Sequence, residues 1–268
     1  MENDGKKPVV SLLMTTMNCR EALENTLDGV RRQDYPAIEV VIKDGGSDDG
    51  TVDVIKSFEK ELEQDPRGWS LIWESCPDKG LYDGMNRAVA MATGDILGVC
   101  NDRLTGPGVV SLMVDTMLRE DVPAVHADLV YMDGDVCKRL WHAGEGAIET
   151  GWMPAHPTLY VRREIYERFG DYDITMKSSS DYDWMIRVLR NGHIKPAYIP
   201  RVLVSMYWGG TSNNGLTGYP RNIMEAWLAL RKNRVPFPTV VIALRILRTI
   251  RQYILAGKWQ KRRDRYCC

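Results

Sequence analysis

Short apolar runs alternate with segments of helical periodicity over the first hundred residues of the chain. The apolar segments "PVVSLLMTT", "AIEVVIKDGG", "WSLIWES" and "DILGVCND" predict buried strands, because β-branched and other apolar residues dominate each run. The segments "NCREALENTLDGVRRQ", "GTVDVIKSFEKELEQ" and "GLYDGMNRAVAMAT" have the spacing of helices, and Asn18 is the expected N-cap of the first. Strands that alternate with helices at short spacing predict an α/β fold with a doubly wound, mostly parallel central sheet.

Beyond "GPGVVSLMVDTMLRE" the pattern becomes mixed. The segments "AVHADLVYMD" and "VCKRLWHAG" alternate as strands, "TLYVRREIYERFG" predicts a strand that runs into a helix, and "SDYDWMIRVLRNG" predicts a helix. The sequence has no internal repeat or low-complexity linker, so we expect one domain over residues 1–220. The remaining residues, 221–268, predict a helical, basic C-terminal extension that is broken at Pro236 and Pro238.

Composition excludes several classes of protein. Apolar residues make up 44% of the 268 residues and charged residues 26%, as in an ordinary globular protein. The net charge of −1 provides no field for nucleic acid, so we expect no nucleic-acid partner. The start of the chain, "MENDGKKPVV", has no apolar segment typical of a signal peptide, and the six cysteines lack metal-binding spacing. We therefore expect a cytoplasmic protein with reduced thiols.

The segment "VVIKDGGSDDGTVDVI" places a glycine-rich turn between a strand and a helix. This is the layout of a phosphate-binding loop, because free N–H groups at a helix N-terminus attract anions. However, Asp44, Asp48 and Asp49 would repel a phosphate. Asp48 or Asp49 would instead stabilise the N-terminus of the following helix. The turn either binds a different part of a ligand or is a capped turn without a ligand.

Seven motifs in order resemble the glycosyltransferase family 2 enzymes. They are "MTTMN", "DGGSDDGT", "PDKGLYDGMNRAVAMATGD", "NDRLTGPG", "HPTLYVRR", "SDYDWMIR" and "WGGTS", and the similarity runs from about Val9 to Ser212. The resemblance implies a GT-A fold, in which a nucleotide-binding sheet is extended by an acceptor-binding half. It also implies a nucleotide-sugar donor.

The resemblance implies donor-binding roles for five residues near the first strands. Asp44 would accept a hydrogen bond from the ring N–H of uracil, which suits a carboxylate because it is an acceptor only. Thr15 would contact the nucleoside, Asp78 and Asp83 would lie near the donor sugar, and Lys79 would contact the diphosphate. Alternatively, Thr15 only satisfies backbone groups and Lys79 is a solvated surface lysine.

The segment "CNDRLTGPG" stands where the family has a pair of acids that bind a divalent metal. Asp102 matches the first acid, Arg103 replaces the second, and Asn101 precedes them as a further donor-binding candidate. Mn²⁺ and Mg²⁺ prefer oxygen ligands, and one carboxylate suffices when phosphates and water complete the shell. Arg103 would contact the diphosphate directly or form a surface ion pair. His156 matches a family histidine near the diphosphate or acceptor and is a second candidate metal ligand, although a lone histidine is often structural.

The segment "SSSDYDWMIR" carries the candidate catalytic residue. By resemblance, Asp181 is the base that removes the proton of the acceptor hydroxyl as the new bond forms. A single displacement inverts the anomeric centre and needs no nucleophile from the enzyme. Asp181 could also be a helix N-cap. Gly209, Gly210 and Ser212 match a loop that closes over the diphosphate, or they simply form a turn.

The tail carries Arg245, Arg248 and Arg251 among Val, Ile and Leu residues. These arginines interrupt any transmembrane segment, so the pattern predicts a basic amphipathic helix on an anionic membrane. The alternative is a helix that packs on the domain or on a second subunit. The "QxxRW" motif of processive synthases is not present.

Together these features predict an inverting, non-processive glycosyltransferase that uses a UDP-sugar and Mn²⁺ or Mg²⁺. The expected acceptor is a saccharide or lipid-linked saccharide in surface-polysaccharide biosynthesis, at the inner face of the cell membrane. A nucleotidyltransferase is a rival, but it would have a glycine-rich loop with basic residues near the N-terminus. A catalytically impaired nucleotide-sugar-binding protein is a second rival, because Arg103 replaces an acid.

Overall fold

The computed structural model describes residues 7–209 and 215–266 of the chain. Nine strands lie in one sheet: β1 (Val10–Thr16), β2 (Ile38–Asp44), β3 (Ser70–Ser75), β4 (Ile96–Val99), β5 (Arg103–Leu104), β6 (Ala124–Asp133), β7 (Val136–Trp141), β8 (Tyr160–Arg162) and β9 (Ala197–Tyr207). The α-helices are α1 (Arg20–Arg31), α2 (Thr51–Glu63), α3 (Leu81–Met91), α4 (Val109–Glu120), α5 (Arg163–Phe169), α6 (Ser180–Met185), α7 (Gly215–Lys232) and α8 (Pro238–Tyr266). Short 3₁₀ turns cover Ile148–Thr150 and His156–Thr158, and a π-helical segment, Ile186–Asn191, continues α6.

The strand order in the sheet is β3-β2-β1-β4-β8-β6-β9-β5, and β7 pairs with the free part of β6. Strand β1 is parallel to both β2 and β4, and β2 is parallel to β3. Beyond β4 the sheet is mixed, because β8 runs antiparallel to both β4 and β6, whereas β6 and β9 are parallel. The predicted α/β fold with a doubly wound sheet is confirmed.

Helices cover both faces of the sheet, which explains why apolar residues dominate its central strands. All seven residues of β2 are buried, as expected for a parallel strand covered on both sides. One core cluster joins the sheet to α1, α2 and α4 through residues such as Leu27, Phe58 and Met113. The other joins it to α3, α6 and α7 through residues such as Met85 and Trp184.

Strand β9 was not predicted, although it is eleven residues long. Its pairing with β6 skips from Ile199 to Val202, so Pro200 and Arg201 lie in an irregularity of the ladder. Proline is tolerated at such a bulge because no ladder hydrogen bond is required there. Because proline and arginine interrupt the apolar pattern, the sequence does not indicate a strand here.

The two C-terminal helices pack on the rest of the molecule. The Nε of Arg139 in β7 donates to the Gln252 side chain of α8 at 2.6 Å, and the amide of Cys137 donates to Gln260 at 2.9 Å. The chain breaks between α7 and α8 at the predicted prolines, and α8 begins at Pro238. Residue 220 lies inside α7, and the division of the chain at that point stays a prediction. In the described ranges, no helix is both long and apolar enough to cross a membrane.

Candidate active site

The carboxyl ends of β1, β2 and β4 meet at one edge of the sheet, where open α/β folds bind ligands. Two predicted donor-binding residues lie there in direct contact. The Asn101 side chain accepts a hydrogen bond from the Thr15 amide at 2.8 Å and donates one to the Thr15 hydroxyl at 3.0 Å. These two hydrogen bonds fix the end of β1 against the loop that follows β4. Contact of either residue with a nucleoside stays a prediction.

Asp44 is buried and fully engaged within the protein. Its Oδ1 accepts hydrogen bonds from the hydroxyls of Thr16 and Ser47, and its Oδ2 accepts them from the amides of Gly46 and Ser47 and from the Ser75 hydroxyl. Burial alone would raise the pKa of Asp44, but the hydrogen bonds from Ser47, Ser75 and Thr16 lower it. The side chain has no exposed surface, and the expected contact with a base stays a prediction. In this arrangement Asp44 holds the glycine-rich turn together.

The other acids of this turn also have structural roles. Asp49 accepts hydrogen bonds at Oδ1 from the amide and hydroxyl of Thr51, the first residue of α2, as expected for an acid at a helix N-terminus. The Asn18 side chain accepts a hydrogen bond from the Asp48 amide at 2.9 Å. The N-cap of α1 is Cys19 and not Asn18. Asn18 instead stabilises the turn from the neighbouring loop. The capped-turn interpretation accounts for these contacts.

Asp78 lies between the turn and the start of α3. Its Oδ1 accepts a hydrogen bond from the Gly80 amide at 2.9 Å, and its Oδ2 is 3.5 Å from the ammonium of Lys43, a fully buried lysine in β2. A Cβ added at Gly45 or at Gly84 would lie 3.2 Å from that oxygen. These glycines let the carboxylate approach the end of β1 closely. Lys43 was missed, although a lysine inside the apolar run of β2 was a visible signal.

Asp83 and Lys79 meet at the N-terminus of α3. Oδ2 of Asp83 accepts a hydrogen bond from the Lys79 amide at 2.9 Å and lies 3.6 Å from Nε of Arg87. Asp83 therefore fixes the backbone just before this helix, whose N-cap is Gly80. The Lys79 side chain is exposed, and its contact with a diphosphate stays a prediction.

Asp102 follows β4 and differs from the other acids of this edge. Its carboxylate receives no hydrogen bond or ion pair from the part of the chain that is described, and burial raises its pKa to about 7. A desolvated, unpaired carboxylate is a suitable ligand for a divalent cation. Residues 7–209 and 215–266 contain no cluster of three or more acidic, histidine or cysteine side chains that could hold a metal. Such an ion would need diphosphate oxygens and water as its other ligands, which Mg²⁺ commonly accepts.

The neighbouring Arg103 points to α1. Its guanidinium forms an ion pair with Asp28 at 3.0 Å, and its stem lies over Gly29. The side chain remains about half exposed. The surface ion pair, one of the two predicted roles, is present, and direct contact with the diphosphate stays a prediction.

His156 is buried in a hydrogen-bonded chain of side chains. Its Nε2 is 2.9 Å from the Tyr172 hydroxyl, which is 2.7 Å from the Tyr166 hydroxyl. Burial lowers the pKa of His156, with the charge of Asp181 opposing it. Nε2 is engaged with Tyr172 in this arrangement, and ligation of a metal by His156 stays a prediction.

Asp181 is the second residue of α6, whose N-cap is Ser179, so the alternative that Asp181 caps the helix is wrong. Its Oδ1 accepts a hydrogen bond from the Tyr82 hydroxyl at 2.9 Å. Burial and the charge of Asp181 raise the pKa of Tyr82 well above its usual value, so the phenol stays protonated and donates. Tyr82 was missed, because its partner is 99 residues away in sequence.

The turn before α6 is held by α7. A single carboxylate, that of Glu225, accepts hydrogen bonds from the amides of Lys177, Ser178 and Ser179. These contacts fix the backbone that leads into Asp181. Part of α7 therefore positions the candidate base, although the sequence places this helix largely in the extension.

Tyr131, near the end of β6, lies two strands from the segment that follows Asp102. Ser205 of β9 pairs with Arg103 of β5 on one side and with Val130 of β6 on the other. Burial raises the pKa of Tyr131, the charge of Arg139 lowers it, and the charges of Asp102 and Asp181 raise it further. Of the loop that follows β9, Gly209 has a φ of 120°, a conformation that favours glycine, whereas Gly210 and Ser212 lie outside the described residues.

Comparisons with known proteins agree with this architecture. Residues 11–190 match the model of the family described as "Glycosyl transferase family 2". The chain is 32% identical over 217 residues to "PGL/p-HBAD biosynthesis glycosyltransferase" from Mycobacterium tuberculosis, which covers 77% of this chain and 80% of that protein.

Two solved structures share the fold at low identity. The mannosyltransferase of Pyrobaculum calidifontis, in complex with GDP-Man and Mn²⁺, superposes with a TM-score of 0.62 at 18% identity, covering 94% of this chain and 74% of that one. Residues 1–349 of TarS from S. aureus, in complex with UDP-GlcNAc, superpose with a TM-score of 0.65 at 13% identity, covering 90% and 72%.

Proposed function

Because this chain belongs to glycosyl transferase family 2, and is thus a glycosyltransferase of glycoconjugate biosynthesis with the GT-A fold, we propose that it is an inverting, non-processive enzyme that uses a UDP-sugar. The observation that supports this proposal is the contrast between two carboxylates of the predicted site. Asp102 is half-buried and has no partner among the described residues, whereas Asp181 is oriented by Tyr82.

Asp181 is the proposed general base. The hydrogen bond from Tyr82 holds one carboxylate oxygen, and the other oxygen is left to accept the proton of an acceptor hydroxyl. That hydroxyl then attacks the anomeric carbon from the face opposite the leaving nucleoside diphosphate. One displacement with one base inverts the anomeric centre, and no residue of the chain becomes covalently attached to the sugar.

The donor would lie along the carboxyl ends of β1, β2 and β4. Thr15 and Asn101 are fixed to one another beside Asp78, and the glycines of the turn keep this surface free of side chains. We propose that these residues contact the nucleoside and the donor sugar, and that Lys79 and the loop at Gly209 contact the diphosphate. A uridine donor is supported by the complex of TarS with UDP-GlcNAc, whereas the mannosyltransferase complex contains GDP-Man.

Asp102 is the proposed protein ligand of Mn²⁺ or Mg²⁺. When bound, such an ion neutralises the charge that develops on the leaving diphosphate. The mannosyltransferase with the same fold was solved with Mn²⁺. The desolvated carboxylate of Asp102 has no cationic partner among the described residues, so a bound metal ion would neutralise its charge.

We also propose that the enzyme works at a membrane surface on a lipid-linked saccharide. An exposed apolar stripe covers the outer side of α8 and the turn before it, formed by Phe237, Val240, Leu247, Ile250 and Ile254. Arg251, Lys258 and Lys261 are exposed on the same helix. Apolar side chains flanked by cations favour the surface of an anionic bilayer. Arg245 and Arg248 face the domain instead, over the Tyr182 ring and at the Thr150 carbonyl.

Incubation with a panel of nucleotide-sugars, Mn²⁺ and saccharide acceptors tests the proposal. Release of UDP together with a product of opposite anomeric configuration, seen by proton NMR, is the expected result. Release of inorganic diphosphate would indicate a nucleotidyltransferase. Donor binding without any turnover would indicate the impaired binding protein.

A further inference from the structure

Three aromatic rings lie around one arginine, and a fourth packs edge-on against two of them. We call this group the aromatic–arginine cluster, and it consists of Tyr131, Arg139, Trp141, Trp208 and Tyr253. The guanidinium carbon of Arg139 is 5.0 Å from the ring centroids of both Tyr131 and Trp141, and 5.9 Å from that of Tyr253. Trp208 stands edge-on to Tyr131 at 6.2 Å and to Tyr253 at 6.1 Å. Strands β6 and β7, the end of β9 and helix α8 all contribute to it.

Arg139 has no opposite charge among its described neighbours. Its Nε donates to the neutral Gln252 side chain at 2.6 Å, and no carboxylate of residues 7–209 or 215–261 forms an ion pair with its guanidinium. Some half-buried arginines elsewhere have such partners, for example Arg190 with Glu149 and Arg187 with Asp183, whereas Arg163 donates to the Gly94 carbonyl and Arg245 lies over the Tyr182 ring. A half-buried guanidinium without a counter-ion retains the capacity to bind an anion.

The cluster lies close to the segment that carries Asp102. Ser205 of β9 pairs with Arg103 of β5 and with Val130 of β6, so Tyr131 is two strands from the residue that follows Asp102. Tyr253 is about half exposed, and Trp208 is partly buried. These rings are therefore open to a ligand that binds beside the segment of Asp102.

A purely structural role explains the cluster less well. Core packing accounts for Tyr131, which is almost fully buried, but it does not require a guanidinium there or the exposed ring of Tyr253. If the arginine served stability alone, a carboxylate in place of Gln252 would compensate its charge. The neutral partner leaves the positive charge available to a ligand.

We propose that the aromatic–arginine cluster is the acceptor subsite and that it selects a saccharide carrying an anionic group, either a phosphate or a carboxylate. This inference rests on the proposed function. The aromatic faces pack against the apolar C–H face of the sugar ring, and the guanidinium forms paired hydrogen bonds with the anion. A sugar held in this way lies between Arg139 and Asp181, so that one of its hydroxyls faces the base.

Saturation-transfer NMR with three probes tests the subsite while UDP and Mn²⁺ occupy the donor site. The probes are glucose 1-phosphate, methyl glucuronide and, as the neutral comparison, methyl glucoside. We expect at least one anionic probe to bind more tightly than methyl glucoside, and the tighter of the two identifies phosphate or carboxylate as the anion. Equal or absent binding of all three probes would overturn the proposal.

Variants assign the binding to the cluster. Arg139→Gln should weaken binding of the anionic probe by about tenfold or more and leave binding of methyl glucoside unchanged, because only the charge is removed. Tyr253→Ala should weaken binding of all three probes, whereas Tyr253→Phe should not. The matched control is Arg119→Gln, an exposed arginine of α4 that pairs with Glu120. Unchanged affinity for the anionic probe in Arg139→Gln refutes the assignment.

Hydrolysis of the donor by water separates this inference from the proposed function. Arg139→Gln and Tyr253→Ala should release UDP from the UDP-sugar in the absence of acceptor at the rate of the unmodified protein. If the unmodified protein releases no UDP with any donor or acceptor, the proposed function fails. If donor hydrolysis is normal but the variants bind the probes as the unmodified protein does, only the proposal of the acceptor subsite fails.

Discussion

The hydroxyl of Tyr82 donates a 2.9 Å hydrogen bond to Oδ1 of Asp181, joining the start of α3 to the start of α6. Tyr82 is almost fully buried and stays protonated, so it is a rigid donor. On the other side, Glu225 of α7 fixes the turn that precedes Asp181. The candidate base is therefore held in one position before any acceptor arrives.

Replacement of the base should abolish most of the activity. Asp181→Asn keeps the size of the side chain and an oxygen that accepts from Tyr82, but the amide cannot take a proton. We expect turnover to fall by about 100-fold or more, with donor affinity unchanged. Steady-state rates and titration calorimetry with UDP measure the two effects. Asp121→Asn, at an exposed residue with φ of 46°, is the matched control, and near-normal turnover in Asp181→Asn would remove the residue from the mechanism.

Tyr82→Phe removes the hydrogen bond to Asp181 and keeps the ring. We expect kcat to fall by about tenfold, because the base is no longer held in one orientation, while KM for the donor stays the same. A purely structural tyrosine would give the opposite pattern, with a lower Tm and an unchanged kcat. Thermal unfolding measured beside the kinetics distinguishes these outcomes.

The sequence predicted the first half of the sheet because apolar residues dominate β2 and its neighbours. It did not predict β9, where Pro200 and Arg201 break the pattern at an irregular part of the ladder. The motifs located the acids of the site but not their environments. Asp44 is engaged by Ser75, 31 residues away, and no local pattern encodes that contact.

Protonation of Asp44 should destabilise the fold at low pH. The hydrogen bonds of the turn lower the pKa of Asp44 below its usual value of 3.8, so the stabilisation is present above that value. It is lost as the pH falls through the lower pKa of the folded state. Asp44→Asn places an amide opposite several N–H and O–H donors, which should cost about 2–3 kcal/mol at neutral pH.

Urea denaturation from pH 7 down to pH 2.5 measures this effect. The difference in unfolding free energy between the unmodified protein and Asp44→Asn should be largest near neutral pH and should shrink below about pH 4. Asp53→Asn, in the first turn of α2, is the control and should show little difference. A constant difference across the range would contradict the role assigned to Asp44.

The exposed stripe on α8 should determine binding to anionic membranes. Removal of the whole helix is a poor test, because α8 packs on β7. Leu247→Gln with Ile254→Gln changes two side chains that are each 61% exposed, and should reduce binding about tenfold or more. Co-sedimentation with vesicles of phosphatidylglycerol and phosphatidylcholine measures it. Leu118→Gln, on α4, is the matched control, and equal binding by all three proteins would exclude this surface.

Metal and nucleotide should bind cooperatively, because Asp102 is the only acid of the expected pair. One carboxylate holds a divalent ion weakly, and the diphosphate supplies the other oxygen ligands. Reciprocity then requires Mn²⁺ and UDP to raise each other's affinity by the same factor. We expect weak binding of Mn²⁺ alone, clear binding with UDP, and loss of this coupling in Asp102→Ala.

Arg103→Gln distinguishes a diphosphate that is bound through a metal ion from one that is contacted directly by Arg103. Because Arg103 pairs with Asp28, its loss should leave the affinity for UDP within about twofold, as for other exposed ion pairs. Arg103→Asp restores a second acid beside Asp102 and should tighten Mn²⁺ binding in the absence of nucleotide. Calorimetry with UDP, with Mn²⁺ and with both gives all of these values. If UDP binds equally well in excess chelator, and Arg103→Gln weakens it, then Arg103 rather than a metal at Asp102 neutralises the leaving group.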